Sequence, residues 1–241
     1  MDIKGILLIL FIIVLLFVVI SYIMKDVNTL TGLEDGKTMK KVDSSDLDTG
    51  DTSSSTSNFA YSIWFFVDDW NYRYGEPKVI FGRMSGGDGP CPLVVLGPTQ
   101  NNLIITIQVY PGSDSVADTN DNNSIVHTCN VANVPLQKWV NLIISAYGRS
   151  LDVYIDGKLV RTCVLPGVSK IDGNAAVFVT PKGGFSGWTS TLQYWPDSCD
   201  PQKAWDIYRK GYGGSWLGNL GKYTLKVSVM EGDTEDASFE I

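Results

Sequence analysis

The polarity of the chain changes character twice along its length. Ile6 to Ile20 is an unbroken apolar run, and Ser21, Tyr22, Ile23 and Met24 extend it before Lys25. That length is close to the roughly 20 residues needed to cross a hydrocarbon core of about 30 Å. In lipid such a segment must be helical, because no water is there to satisfy its backbone amides. A cleavable signal would need a shorter apolar core and a small-x-small site, for which only Val19 and Ser21 offer a weak match. The pattern therefore predicts an uncleaved anchor over residues 1–25, with 6–24 in the bilayer. The next stretch, 26–57, is polar. Asp43 to Ser57 reads DSSDLDTGDTSSSTS, with a single Leu, which predicts a flexible spacer with too little apolar surface to offset ordering.

From Asn58 onward short apolar runs alternate with turn residues, and the region 58–241 is predicted to be one folded domain. Phe59 to Val67 is β-branched and aromatic, and Leu103 to Tyr110 is a second clear strand. Between Trp139 and Val164 the alternation is strongest. Val140, Leu142, Ile144 and Ala146 interleave with Asn141, Ser145 and Tyr147, and Asp156-Gly157 then marks a type I′ hairpin. This predicts a three-strand antiparallel meander with one buried and one wet face. Ala175 to Val179, Phe185 to Tyr194 and Lys222 to Met230 supply further strands. One short helix is predicted, with Asp200 as N-cap, Pro201 in its first position and Gly211 at its end. Strand, turn, strand throughout means an all-β sandwich of two antiparallel sheets.

The segment Val131 to Gly167 resembles the core of the laminin-G-like, concanavalin A-like jelly-roll superfamily. The resemblance rests on Pro135, Trp139 and the Tyr154-Ile155-Asp156-Gly157 hairpin, flanked by Tyr61 to Phe65 and by Phe185 to Tyr194 with Ile207-Tyr208. It implies a jelly-roll sandwich over about 58–214, and it leaves function open because the fold hosts lectins, glycosidases, adhesion modules and structural proteins. Anchor, acidic spacer and one such domain together also resemble minor structural proteins of large DNA viruses. That resemblance implies a virion internal membrane, a domain facing the capsid from the cytoplasmic side, and capsid proteins as partners.

The charge narrows these options. With 19 Lys plus Arg against 26 Asp plus Glu the net charge is −7, and no basic stripe is present, so nucleic acid is not an expected partner. Lys25, Lys37, Lys40 and Lys41 follow the apolar run, whereas Lys4 alone precedes it. That bias favours a cytoplasmic domain with its thiols in a reducing compartment. Cys91, Cys129, Cys163 and Cys199 nevertheless permit two disulfides in three pairings.

Candidate chemistry is sparse. Glu231-Gly232-Asp233-Thr234-Glu235 matches a family-16 glycosidase spelling, which would put three carboxylates on one strand face. Its place in the last eleven residues reads instead as an acidic tail. Asp118, Asn120, Asp121 and Asn122 offer hard oxygens for Ca2+, without the glycine and closing Glu of an EF-hand. His127 stands alone, and Ser85 to Gly89 lacks the Lys of a phosphate-binding loop. Trp70, Tyr72, Tyr74, Trp188, Tyr194 and Trp195 are aromatics near loops, suited to sugar rings or to a protein hot spot. The expectation is a membrane-anchored, non-enzymatic interaction module of a virion shell. A lectin-like glycan binder is the alternative, and a glycosidase is the remote one.

Overall fold

A computed structural model describes residues 11–12, 15–16, 28–47, 57–84, 89–111 and 124–213, together with the backbone of 226–231 and 234–240. Phe11, Ile12, Leu15 and Leu16 are helical and exposed. Most of the predicted span 6–24 lies outside the described residues, among which no helix is long and apolar enough to cross a membrane.

In chain order the strands are β1 (Glu34–Asp35), β2 (Lys40–Val42), β3 (Phe59–Asp69), β4 (Lys78–Met84), β5 (Leu93–Leu96), β6 (Leu103–Val109) and β7 (Ile125–Val131). They continue as β8 (Trp139–Tyr147), β9 (Ser150–Ile155), β10 (Lys158–Val164), β11 (Ala176–Val179) and β12 (Ser186–Trp195). The helix α1 (Pro201–Lys210) follows, and β13 (Lys226–Glu231) and β14 (Thr234–Glu240) close the chain as a separate hairpin. Two six-stranded antiparallel sheets form the sandwich. The first runs β1-β12-β3-β8-β9-β10 and the second β2-β11-β4-β5-β6-β7.

The core is what the alternation demands. Tyr61, Ile63, Phe65 and Val67 on β3 and Val140, Leu142, Ile144 and Ala146 on β8 point inward. Ile80, Phe81, Val94, Leu96, Leu103, Ile105 and Ile107 meet them from the second sheet. The Asp156-Gly157 hairpin has positive φ at both residues, 51° and 72°, as a type I′ turn requires.

The expected wet face of the meander is largely covered. Helix α1 lies over it, and Ala60, Ile143, Tyr154, Cys199, Ala204 and Ile207 form a second, smaller core. The polar side chains beneath are used as sockets. Ser145 Oγ accepts from the Cys199 amide at 2.8 Å, and Asn141 Nδ2 donates to Ser62 Oγ at 3.2 Å. The helix itself starts and stops where its caps predict. Asp200 accepts from the Lys203 amide at 2.7 Å, and Gly211, at φ 78°, ends it.

Part of the expected spacer belongs to the fold. Within 26–57, β1 pairs with β12 and β2 pairs with β11, so one short strap edges both sheets. Val42 and Leu47 are buried in the main core. The strap's polarity is compatible with this because an edge strand is held by backbone pairing, for which a few buried side chains suffice as pins. On the opposite flank the edge strands β7 and β10 are joined by a Cys129–Cys163 disulfide, whereas Cys91 and Cys199 are free and buried. Edge β10 is further blunted by a register shift between Leu159 and Arg161.

The carboxylate motif near the C-terminus does not lie along one strand. Glu231 ends β13 and Glu235 sits on its partner β14, across a chain reversal. The expected tail is therefore, over 234–240, one strand of a hairpin.

Candidate ligand-binding site

At one end of the sandwich three connections converge: the residues after β3, the turn between β5 and β6, and the link from β7 to β8. Between them lies an open depression of about 510 Å³ lined by Trp70, Thr99, Gln100, Asn101, Asn102, Ala132, Asn133 and Leu136. A smaller hollow of about 280 Å³ lies across the Ala132–Asn133 ridge, where Ile155, Val160 and Arg161 complete it.

The walls are fixed by hydrogen bonds between loops. The Val134 amide donates to Asn101 O at 2.7 Å, and Asn101 Nδ2 returns the bond to Val134 O at 3.0 Å. Within the β5–β6 turn, Asn102 N donates to Gln100 O at 2.8 Å and Gly97 N to Asn102 O at 2.9 Å. Asn133 is held at φ 59°, a left-handed conformation that asparagine tolerates better than most residues. Trp70 packs partly on the main core, with Lys78 Nζ 4.4 Å from its ring centroid.

Lys78 is wholly enclosed, and its amine has no hydrogen-bond partner among the described residues. Burial lowers its pKa; the Arg73 guanidinium pushes the same way, and Glu76 opposes them. The indole face gives the ammonium a cation–π contact in place of a hydrogen bond.

Among the described residues no titratable side chain lines the depression. The free cysteines are not activated either. Burial pushes the Cys91 thiol up to about 12 and Cys199 up to about 11, the opposite of what a nucleophile needs. Among the described residues no group of three His, Cys, Asp or Glu side chains is placed to hold a metal ion. The Ca2+ candidates Asp118, Asn120, Asp121 and Asn122 lie outside the described residues, as does most of the Ser85–Gly89 loop.

The six aromatics singled out in the sequence do not form one site. Trp70, Tyr72 and Tyr74 share the β3–β4 connection. Of these, Trp70 lines the depression, and the Tyr72 hydroxyl donates to Gly183 O at 3.1 Å. Tyr74 is 60% exposed. Trp188 is exposed on the outer face of the first sheet, opposite Phe66, which in turn pairs with Trp139. Tyr194 is a core residue packed on Tyr61 at 4.9 Å, because the irregular register of β12 between Ser190 and Gln193 turns it inward. Trp195 supports the second core, with Lys203 Nζ 4.6 Å from its ring.

Sequence reasoning missed Thr99, Gln100, Asn101, Asn102 and Asn133. The string Pro98-Thr99-Gln100-Asn101-Asn102 reads as an ordinary turn, and only the fold brings it beside Trp70.

No protein-family model matches the chain, and no curated protein matches it in sequence. Solved structures do. The chain is similar to the binding domain of botulinum neurotoxin serotype D, with TM-score 0.55 and 10% identity over 77% of this chain and 51% of that one. A second structure of the receptor-binding domain of botulinum neurotoxin D gives TM-score 0.54 and 11% identity, over 73% and 42% of the two chains. The binding domain of botulinum neurotoxin DC in complex with rat synaptotagmin II gives 0.52 and 14% identity, over 71% and 40%. The chain thus spans about half or less of each of these structures. At these identities the likeness establishes the fold alone: an all-β, two-sheet antiparallel sandwich of jelly-roll type with one short helix.

Proposed function

We propose that this protein is a non-enzymatic binding module, tethered to a membrane, that holds its ligand at the loop-bearing end of the sandwich. The observation that carries this reading is the depression beside Trp70, whose walls are fixed and whose lining, among the described residues, has no titratable side chain. Such a site is equipped to hold a ligand and not to transform it. The toxin domains of similar fold are described as binding domains, which agrees with this reading. The apolar run 6–24 would supply the tether.

The Cys129–Cys163 pair supports a domain on the oxidising side of that membrane, against the cytoplasmic orientation favoured by the basic residues. Alkylation of the full chain under non-reducing, denaturing conditions should then label two cysteines, Cys91 and Cys199. Labelling of all four would return the domain to a reducing compartment.

A second reading is a linker between an internal membrane and a virion shell. It draws on the exposed aromatics Trp188, Trp205 and Tyr212, which suit a protein hot spot. A shell partner would bury about 800 Å² per side there.

The two readings separate on one variant of the full-length protein in nanodiscs. Ala132→Trp fills the depression and leaves Trp188, Trp205 and Tyr212 untouched. Loss of ligand retention in Ala132→Trp supports the loop-end site, whereas unchanged retention of a shell protein would move the function to the outer sheet.

A further inference from the structure

We infer that the depression beside Trp70 is a subsite for a neutral saccharide. This deepens the binding-module reading and rests on it. Three features of the lining select the ligand class.

The first is the absence of charge. No Asp, Glu, Lys, Arg or His is among the lining residues, so an anionic or cationic ligand would lose hydration there without an opposite charge to replace it. Lys78 does not alter this, because it lies enclosed against the Trp70 ring and is not part of the lining.

The second is the density of carboxamides. Gln100, Asn101, Asn102 and Asn133 all line one hollow, with the Thr99 hydroxyl beside them. Gln100 and Asn133 present the carboxamides free to meet a ligand, since Asn102 Oδ1 is buried and Asn101 Nδ2 is spent on Val134 O. A carboxamide carries an acceptor and two donors on a planar frame, which matches neighbouring hydroxyls on a pyranose ring. Thr99, Gln100 and Asn133 are exposed, and no described residue hydrogen-bonds their side chains. Asn101 and Asn102, by contrast, help to shape the wall.

The third is the pairing of these amides with apolar surface. Trp70 and Leu136 form the apolar part of the hollow, and a sugar ring presents one C–H-rich face to such a surface while its rim hydroxyls seek polar partners. The Trp70 indole is held by core packing and by the ammonium beneath it, so little side-chain freedom remains to be lost on binding.

A volume of about 510 Å³ falls within the ~300–1,000 Å³ range of small-ligand sites. The open mouth suits an internal unit of an oligosaccharide, and Arg161 lies in the adjacent smaller hollow, outside this subsite. A single shallow subsite of this kind implies dissociation constants of about a millimolar to tens of micromolar.

The test uses the full-length protein in nanodiscs on an immobilised panel of neutral oligosaccharides built from glucose, galactose, mannose and N-acetylglucosamine, with sialylated and sulfated counterparts. The expected result is retention on one or more neutral glycans. Trp70→Ala should weaken it at least about tenfold and Gln100→Ala about two- to tenfold, the latter being the worth of one hydrogen bond. Gln100→Ala, at an exposed turn, keeps the test valid if Trp70→Ala fails to fold. Tyr147→Ala, at the opposite end, should leave retention unchanged.

Retention confined to charged glycans, or neutral retention that survives both Trp70→Ala and Gln100→Ala, overturns the saccharide inference. A protein ligand lost in Ala132→Trp, with no glycan retained, overturns it too and leaves the binding-module reading standing. If the wild-type protein retains none of these glycans and no ligand responds to Ala132→Trp, both fall.

Discussion

The two flanks of the sandwich solve the same problem by different means. Any open sheet leaves its outermost strands with unpaired amides and carbonyls, which invite pairing with other chains. On one flank the strap lays β1 on β12 and β2 on β11, so a single stretch of chain edges both sheets. On the other, β7 and β10 meet through the Cys129–Cys163 bond, and β10 carries a register shift. The strap flank depends on backbone hydrogen bonds and a few buried side chains, chiefly Val42 and Leu47, the cystine flank on one covalent link. The first should therefore respond to mutation of small contacts and be indifferent to redox conditions; the second should behave the opposite way.

The largest expected effect tests the cystine flank. Its bond closes a loop of 34 residues in sequence separation, and chain-entropy arguments put the stabilisation from such a link at about 4 kcal/mol. Replacing Cys129 and Cys163 together by Ser should lower the denaturation free energy by that amount. Reductant should do the same to the wild type and nothing to the variant. A loss below about 1 kcal/mol would mean that strand packing alone closes this side.

Leu47→Ala probes the strap. The Leu47 side chain is buried in the main core, so truncation should cost about 2–3 kcal/mol in denaturant titrations. A spacer residue would cost less than about 0.5 kcal/mol.

Gly36→Ala tests how closely the strap lies on its neighbours. A Cβ there would stand 2.7 Å from Phe185 O and 2.9 Å from Gly187 O. The strap must shift to admit it, at about 1–2 kcal/mol. Hydrogen exchange should show faster exchange at Gly36 N and Phe185 N, which bond to Gly187 O and Gly36 O.

The smallest effect belongs to neither flank and has the opposite sign. Lys78→Met keeps the length of an enclosed side chain and removes an amine without a hydrogen-bond partner, so it should stabilise by about 1 kcal/mol at neutral pH. An amine with a lower pKa folded than unfolded binds fewer protons in the native state. Its penalty is therefore full at pH values below the lowered pKa and fades as pH rises toward about 10.4. The advantage of Lys78→Met should shrink over that interval, and an advantage independent of pH would show that the amine is not charge-penalised.

Much of the fold was legible because its signals are local. Asp156-Gly157 specifies its hairpin by turn chemistry, and Asp200, Pro201 and Gly211 mark the helix by capping chemistry; the structure has all of them in those roles. Strand β4 went unread, since Gly82 and Arg83 interrupt its apolar run, and the buried Arg83 is satisfied by donating to Gly173 O and Ala175 O and by lying over the Tyr194 ring. The strap was illegible for another reason. Its pairing is made by backbone atoms, which every sequence has, so its composition still reads as spacer. The wet face of the meander was misread because the helix that covers it comes some 40 residues later. As for the candidate site, Trp70 was visible as an aromatic near a loop. Its amide partners were not, since they come from separate connections that only the sheet order brings together.

The strap also decides where the domain gives way under load. Tension arriving from the N-terminal side of Asn28 enters at the bonds that Asn28 and Leu30 make with Tyr194 and Leu192. These lie on a sheet margin and would part singly, like a zipper, before the interior strands carried any strain. A domain pulled in this way would have a sacrificial first segment, lengthening by a short stretch of chain while the end that bears the Trp70 depression keeps its shape.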